Sequence, residues 1–152
     1  MKHFTFSHCA GDKSVSAANR KIIADAITAV TTKPGPGAAT KIRSQLLSNL
    51  KTSGWSGEVR LAADSDITIT AVKDDIGLCL QTGNMSRIYA DLIKLQTMYL
   101  NDAIKAAVII VPSKDVAKLL GSNIAQSQRL ERELAIFRKA YHVPTVVYAL
   151  EA

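Results

Sequence analysis

Residues 66–84 read Asp66-Ile-Thr-Ile-Thr-Ala-Val-Lys-Asp-Asp-Ile-Gly-Leu-Cys-Leu-Gln-Thr-Gly-Asn84. Ile67, Ile69 and Ala71 alternate with Thr68, Thr70 and Val72; beyond the acidic pair, Ile76, Leu78 and Leu80 alternate with Gly77, Cys79 and Gln81. Period-2 alternation is the pattern of a half-buried strand, and two such runs around a two-residue turn make a β-hairpin. With Asp74-Asp75 as that turn, Lys73 pairs with Ile76, and counting outward puts Thr70 opposite Cys79. Thr70, Cys79 and Gln81 are then expected on one non-apolar face, beside the start of a helix.

On the N-terminal side, Ile22, Ile23, Ala26, Ile27 and Val30 form the stripe of a helix from about Ser14 to Thr31, with Ser14 or Ser16 as cap. Lys33-Pro-Gly-Pro-Gly37 ends it. A second helix follows over 38–52, with Ile42, Leu46, Leu47 and Leu50 on one face and Gly54 placed as its C′ residue. A short strand is expected over 58–61, before the hairpin. Beyond it, the spacing of Ile88, Leu92, Leu95 and Tyr99 predicts a helix over 85–99. Ala106–Val111, stopped by Pro112, reads as a strand buried on both faces. Ser113 caps a short helix to Leu120, and a longer one is expected over 125–141 with Leu130, Leu134 and Phe137 inward. A final strand spans 143–150, with Pro144 favouring an edge or strand-start position. The core order α-β-β-β-α-β predicts an α/β fold with a mixed central sheet flanked by helices, in a single domain over 1–152.

The chain has 152 residues, 47% hydrophobic and 21% charged, as expected of a globular chain able to bury a core. No stretch approaches the roughly 18 consecutive apolar residues of a membrane span. The segment Met1–Cys9 lacks the apolar core of a secretory signal, so a cytoplasmic location and no membrane partner are expected. The net charge of +6 suits an anionic partner, nucleic acid above all, although the charges are scattered. Cys9 and Cys79 lack CxxC spacing, and His3, His8 and His142 show no ligand spacing with them, which argues against a disulfide framework or a zinc site.

Several stretches resemble the BglII-like family of type II restriction endonucleases: Phe4-Thr-Phe-Ser-His8 with Gly11, Gly54-Trp-Ser-Gly-Glu-Val-Arg60, Val72-Lys73, and Ile76-Gly-Leu-Cys-Leu-Gln-Thr-Gly-Asn84. Tyr89-Ala-Asp-Leu-Ile-Lys94 and Val108-Ile-Ile-Val-Pro-Ser-Lys114 extend the likeness over most of the chain. The resemblance implies a restriction-endonuclease-like core, a homodimer on duplex DNA and Mg²⁺-dependent cleavage in active members. It also implies a catalytic set of one Asp on the first hairpin strand and Glu-x-Gln on the second. Those positions fall on Thr70, Cys79 and Gln81, of which only Gln81 is retained.

Mg²⁺ is a hard ion that selects carboxylate and water oxygens, and metal-assisted phosphodiester hydrolysis depends on it. A neutral hydroxyl and a soft thiol remove both negative charges. Asp66 is four residues from Thr70, about 13 Å along a strand, and the turn acids lie similarly far away. Glu58 is the one candidate substitute acid. Asn84, Arg87 and Lys94 are candidate DNA contacts beside the helix start, against the simpler readings of a turn residue and solvated helix charges. Cys79 reads as a small sheet residue or a thiol activated by the helix, and Trp55 as a core anchor. The sequence therefore predicts a protein that has lost metal-dependent cleavage, needs no cofactor, and acts through DNA binding or protein assembly. Its short loops suggest backbone contact rather than base reading. Two alternatives stay open: a divergent active endonuclease using Mg²⁺, and a protein-interaction adaptor with no DNA role.

Overall fold

A computed structural model describes residues 1–152. Its elements in chain order are β1 (Lys2–His8), α1 (Gly11–Ser14), α2 (Ala17–Thr28), α3 (Ala39–Thr52), β2 (Val59–Arg60), β3 (Thr68–Ile69), β4 (Ala71–Lys73), β5 (Ile76–Leu80), α4 (Arg87–Leu100), β6 (Ala106–Pro112), α5 (Lys114–Leu120), α6 (Ser127–Ile136) and β7 (Thr145–Glu151). Five strands form one mixed sheet in the order β1-β7-β6-β5-β4, with β5, β6 and β7 parallel and the two outer strands antiparallel to their neighbours. β2 and β3 make a separate two-stranded ribbon. The α/β class and the mixed sheet flanked by helices match the sequence expectation.

Two apolar clusters cover the two faces of the sheet. Leu78, Val108, Ile110 and Tyr148 pack with Ile23 and Ile27 of α2, Ile42 and Leu46 of α3, and Val116 of α5. Cys79, Ile109 and Val147 pack on the other face with Ile88, Leu92 and Leu95 of α4 and Leu130 and Leu134 of α6. Strands sandwiched between helices must be apolar on both sides, and this overturns one expectation. β5 is buried at every position, so Cys79 lies in a core rather than on a polar face.

Local chemistry sets the element ends. Ser16 caps α2 by accepting the Asn19 N–H at 3.2 Å, Ser113 caps α5, and Gly54 takes φ 93° after α3. Hence α2 starts after Ser16, and residues 11–14 form a separate turn of helix. Pro144 precedes β7, which is an interior strand. The last helix is shorter than expected: it stops at Ile136, and Phe137, just past its end, is 38% exposed rather than inward. β1 is absent from the sequence expectation. As an edge strand with half-buried phenylalanines and exposed polar residues, it carries little apolar signal. No helix is long and apolar enough to cross a membrane.

The hairpin forms in the expected register, Lys73↔Ile76, Val72↔Gly77 and Ala71↔Leu78, around Asp74 and Asp75 with φ 50° and 59°. The register does not extend to Thr70. Its N–H bonds to the Leu78 carbonyl at 3.1 Å, so Thr70 and Ala71 both face Leu78 and the chain bulges. Thr70 therefore does not pair with Cys79. Upstream of the bulge the chain leaves the sheet as β3 and pairs with β2 instead.

Candidate functional site: a cation-lined cleft at the end of β5

Where β4 departs, Leu80 at the end of β5 loses a strand partner, and two side chains replace it. Thr70 Oγ1 accepts the Leu80 N–H at 3.0 Å, and Arg43 Nη1 donates to the Leu80 carbonyl. A cleft of about 450 Å³ opens beside this point, between α3, the Thr70 bulge, the Gln81–Gly83 turn and α4. On α4, Arg87, Asp91 and Lys94 stand at i, i+4 and i+7, the spacing that puts side chains on one face; all three line the cleft.

A polar network forms the floor. Gln81 Nε2 donates to Asp91 Oδ2 at 3.0 Å, while Gln81 Oε1 accepts the Gly83 N–H at 3.1 Å, which fixes the amide. Lys94 Nζ donates to Asp91 Oδ1 at 3.2 Å. Both oxygens of Asp91 are thus engaged and its side chain is 10% exposed, so its charge is neutralised inside the protein. Arg43 and Arg87 form no ion pair, in contrast to Lys94.

These donors do not fit a divalent metal of the kind the family resemblance implies. Cys79 is 1% exposed, and burial, reinforced by the Asp91 charge, pushes its thiol well above the usual range. That excludes both hard-metal ligation and an activated nucleophile. The Thr70 hydroxyl is committed to Leu80, and Asp91 to Lys94 and Gln81. No three His, Cys, Asp or Glu side chains gather within reach of one ion.

Of the residues singled out in the sequence, Thr70, Gln81, Glu58, Arg87 and Lys94 converge on the cleft; Cys79 and Asn84 do not. Asn84 spends its Oδ1 on the Ser86 N–H and hydroxyl, both at 2.8 Å, and so serves the turn into α4. Asp66 pairs loosely with Arg60 at the surface, and Asp74 and Asp75 pair with Lys73 and Lys105 at the hairpin tip. No histidine serves Cys79 as a base: His8 bonds to the Tyr141 carbonyl and His142 to Gln96. Sequence reasoning missed Arg43 and Asp91. The i, i+4, i+7 spacing from Arg87 was the available signal for Asp91; Arg43 reaches the site only through tertiary packing of α3.

The profile of the restriction endonuclease BglII/BglIII family matches residues 4–150. Among solved structures, restriction endonuclease BglII complexed with a DNA 16-mer is similar to this fold with a TM-score of 0.81 and 15% identity, covering 99% of this chain and 76% of that one. Free BglII is similar with a TM-score of 0.73 and 16% identity, covering 100% and 80%. No curated protein matches by sequence.

Proposed function

Because this chain belongs to the restriction endonuclease BglII/BglIII family, we propose that it is a DNA-binding member that has lost metal-dependent cleavage. One observation carries the reading. At the two positions that the resemblance implies for the family's acids stand a hydroxyl tied to Leu80 and a thiol shut in an apolar core. Cleavage needs a charged site that holds a metal against phosphate, and neither residue supplies charge. The solved structure of BglII is bound to DNA, and three cations line the polar cleft of this chain. Thr70, Gln81, Arg87 and Lys94 form the DNA-facing surface in this reading, with Arg43 added and Cys79 and Asn84 serving the scaffold.

The chain acts as a homodimer in the same reading, as its family resemblance implies. Ile93 of α4 and Ile136 and Phe137 at the end of α6 are exposed, and an apolar surface of this kind suits a subunit contact.

The chief rival is a divergent active endonuclease in which Asp91 and Glu58, both lining the cleft, stand in for the missing acids. Supercoiled plasmid incubated with Mg²⁺ or Mn²⁺ separates the two. No conversion to nicked or linear DNA is expected, alongside a salt-sensitive gel shift. Cleavage by the wild type that disappears in Asp91→Asn or Glu58→Gln would overturn the proposal. An absent gel shift at low salt would favour the adaptor reading.

A further inference from the structure

We propose that this cleft holds a DNA backbone phosphate without any divalent metal, with Lys94, seated on Asp91, as its built-in cation; this rests on the DNA-binding reading above. A site with two acids repels phosphate until a metal neutralises them. Here the positions that the resemblance implies for those acids are the uncharged Thr70 and Cys79, so neither adds such repulsion. The remaining buried acid, Asp91, is already neutralised by Lys94 at 3.2 Å.

What is left over is positive. An ammonium has three N–H donors; Lys94 gives one to Asp91 and keeps its side chain 25% exposed toward the cleft. A guanidinium has five donors, and Arg43 gives one to the Leu80 carbonyl. Arg87 is exposed and forms no ion pair or side-chain hydrogen bond. Lys94 is pinned by its carboxylate and Arg43 by backbone, so neither loses much freedom on gripping an anion. Glu58, exposed at the rim, is the one acid in the cleft without a partner.

The test is anisotropy of a fluorescein-labelled duplex with the full-length protein, in EDTA and in Mg²⁺, across a salt series. Wild-type affinity is expected to agree within about twofold between the two buffers. Lys94→Gln and Arg87→Gln should each weaken binding several-fold, and each should lower the slope of log affinity against log salt by about 0.9. Lys118→Gln on α5, which removes the same charge outside the cleft, should leave the affinity within about twofold. Binding that requires Mg²⁺, or wild-type affinity in folded Lys94→Gln, overturns the inference while DNA binding itself stands. If Lys94→Gln fails to fold, exposed Arg87→Gln is read in its place. No binding by the wild type in either buffer overturns the DNA-binding reading, and this inference with it.

Discussion

Gln81 and Asp91 meet at 3.0 Å where β5 gives way to α4, joining the turn after the strand to a buried carboxylate on the helix. The bond is a structural joint between the two elements. Asp91 accepts from Gln81 and Lys94 on separate oxygens, and both donors depend on it.

Asp91→Ala is therefore expected to destabilise the protein by roughly 1–3 kcal/mol, since it strands two partly buried donors. Asp91→Asn keeps an oxygen for Gln81 and should cost less. Urea unfolding checks this: the midpoint should fall with an unchanged slope.

The two thiols should differ in reactivity. Cys79 is buried and Cys9 is partly exposed, so a thiol reagent should titrate one cysteine in the native protein and both in denaturant.

Burial raises the folded pKa of Cys79 above its ordinary 9.0, with the Asp91 charge adding to it. Burial also raises Tyr148 from 10.0 to about 12. Each group stays protonated in the folded chain while the unfolded chain gives up its proton, so stability is held below the ordinary pKa values and lost as pH rises beyond them. Urea midpoints should begin to fall near pH 9.0. In Cys79→Ala the fall should start later, near the tyrosine value of 10.0.

Gly11 and Gly77 should respond unequally to alanine. A methyl group at Gly11 would sit 2.2 Å from the Thr145 backbone carbon and oxygen, which cannot move aside without breaking the start of β7. At Gly77 it would meet the side-chain ends of Ile104 and Leu95 at 3.0 Å, which can yield. Gly77→Ala is expected to cost about 1–3 kcal/mol, and Gly11→Ala more than about 4 kcal/mol. Chemical denaturation should rank them in that order.

Placing acids at positions 70 and 79 tests the geometry beside the hairpin. Thr70→Asp with Cys79→Glu is expected to give no Mn²⁺ heat by calorimetry, because Thr70 does not pair with Cys79 and Cys79 lies outside the cleft. It should also lower stability, because position 79 is shut in the core. A folded double variant that binds Mn²⁺ would show that the two positions do converge.

Local patterns made much of this protein readable from its residues. The apolar spacing of Ile42, Leu46 and Leu50, the continuous run Ala106–Val111, and the capping residues Ser16 and Ser113 each depend on neighbours a few positions away, and each appears where expected. The hairpin register around Asp74 and Asp75 was legible for the same reason. Burial on the second face of β5 was not, because it depends on α4 and α6 folding back over Cys79. Nor was the bulge at Thr70, which forms where the chain leaves one sheet to pair with β2 in another. The sequence alone determined which chemical groups exist, above all the uncharged Thr70 and Cys79 on either side of the hairpin turn. Tertiary structure alone decided that Cys79 is walled off and that Arg43, from a helix far back in the chain, lines the same cleft as Lys94. Covalent order sets side-chain chemistry, but distance and exposure are set by long-range packing that no short window of residues contains.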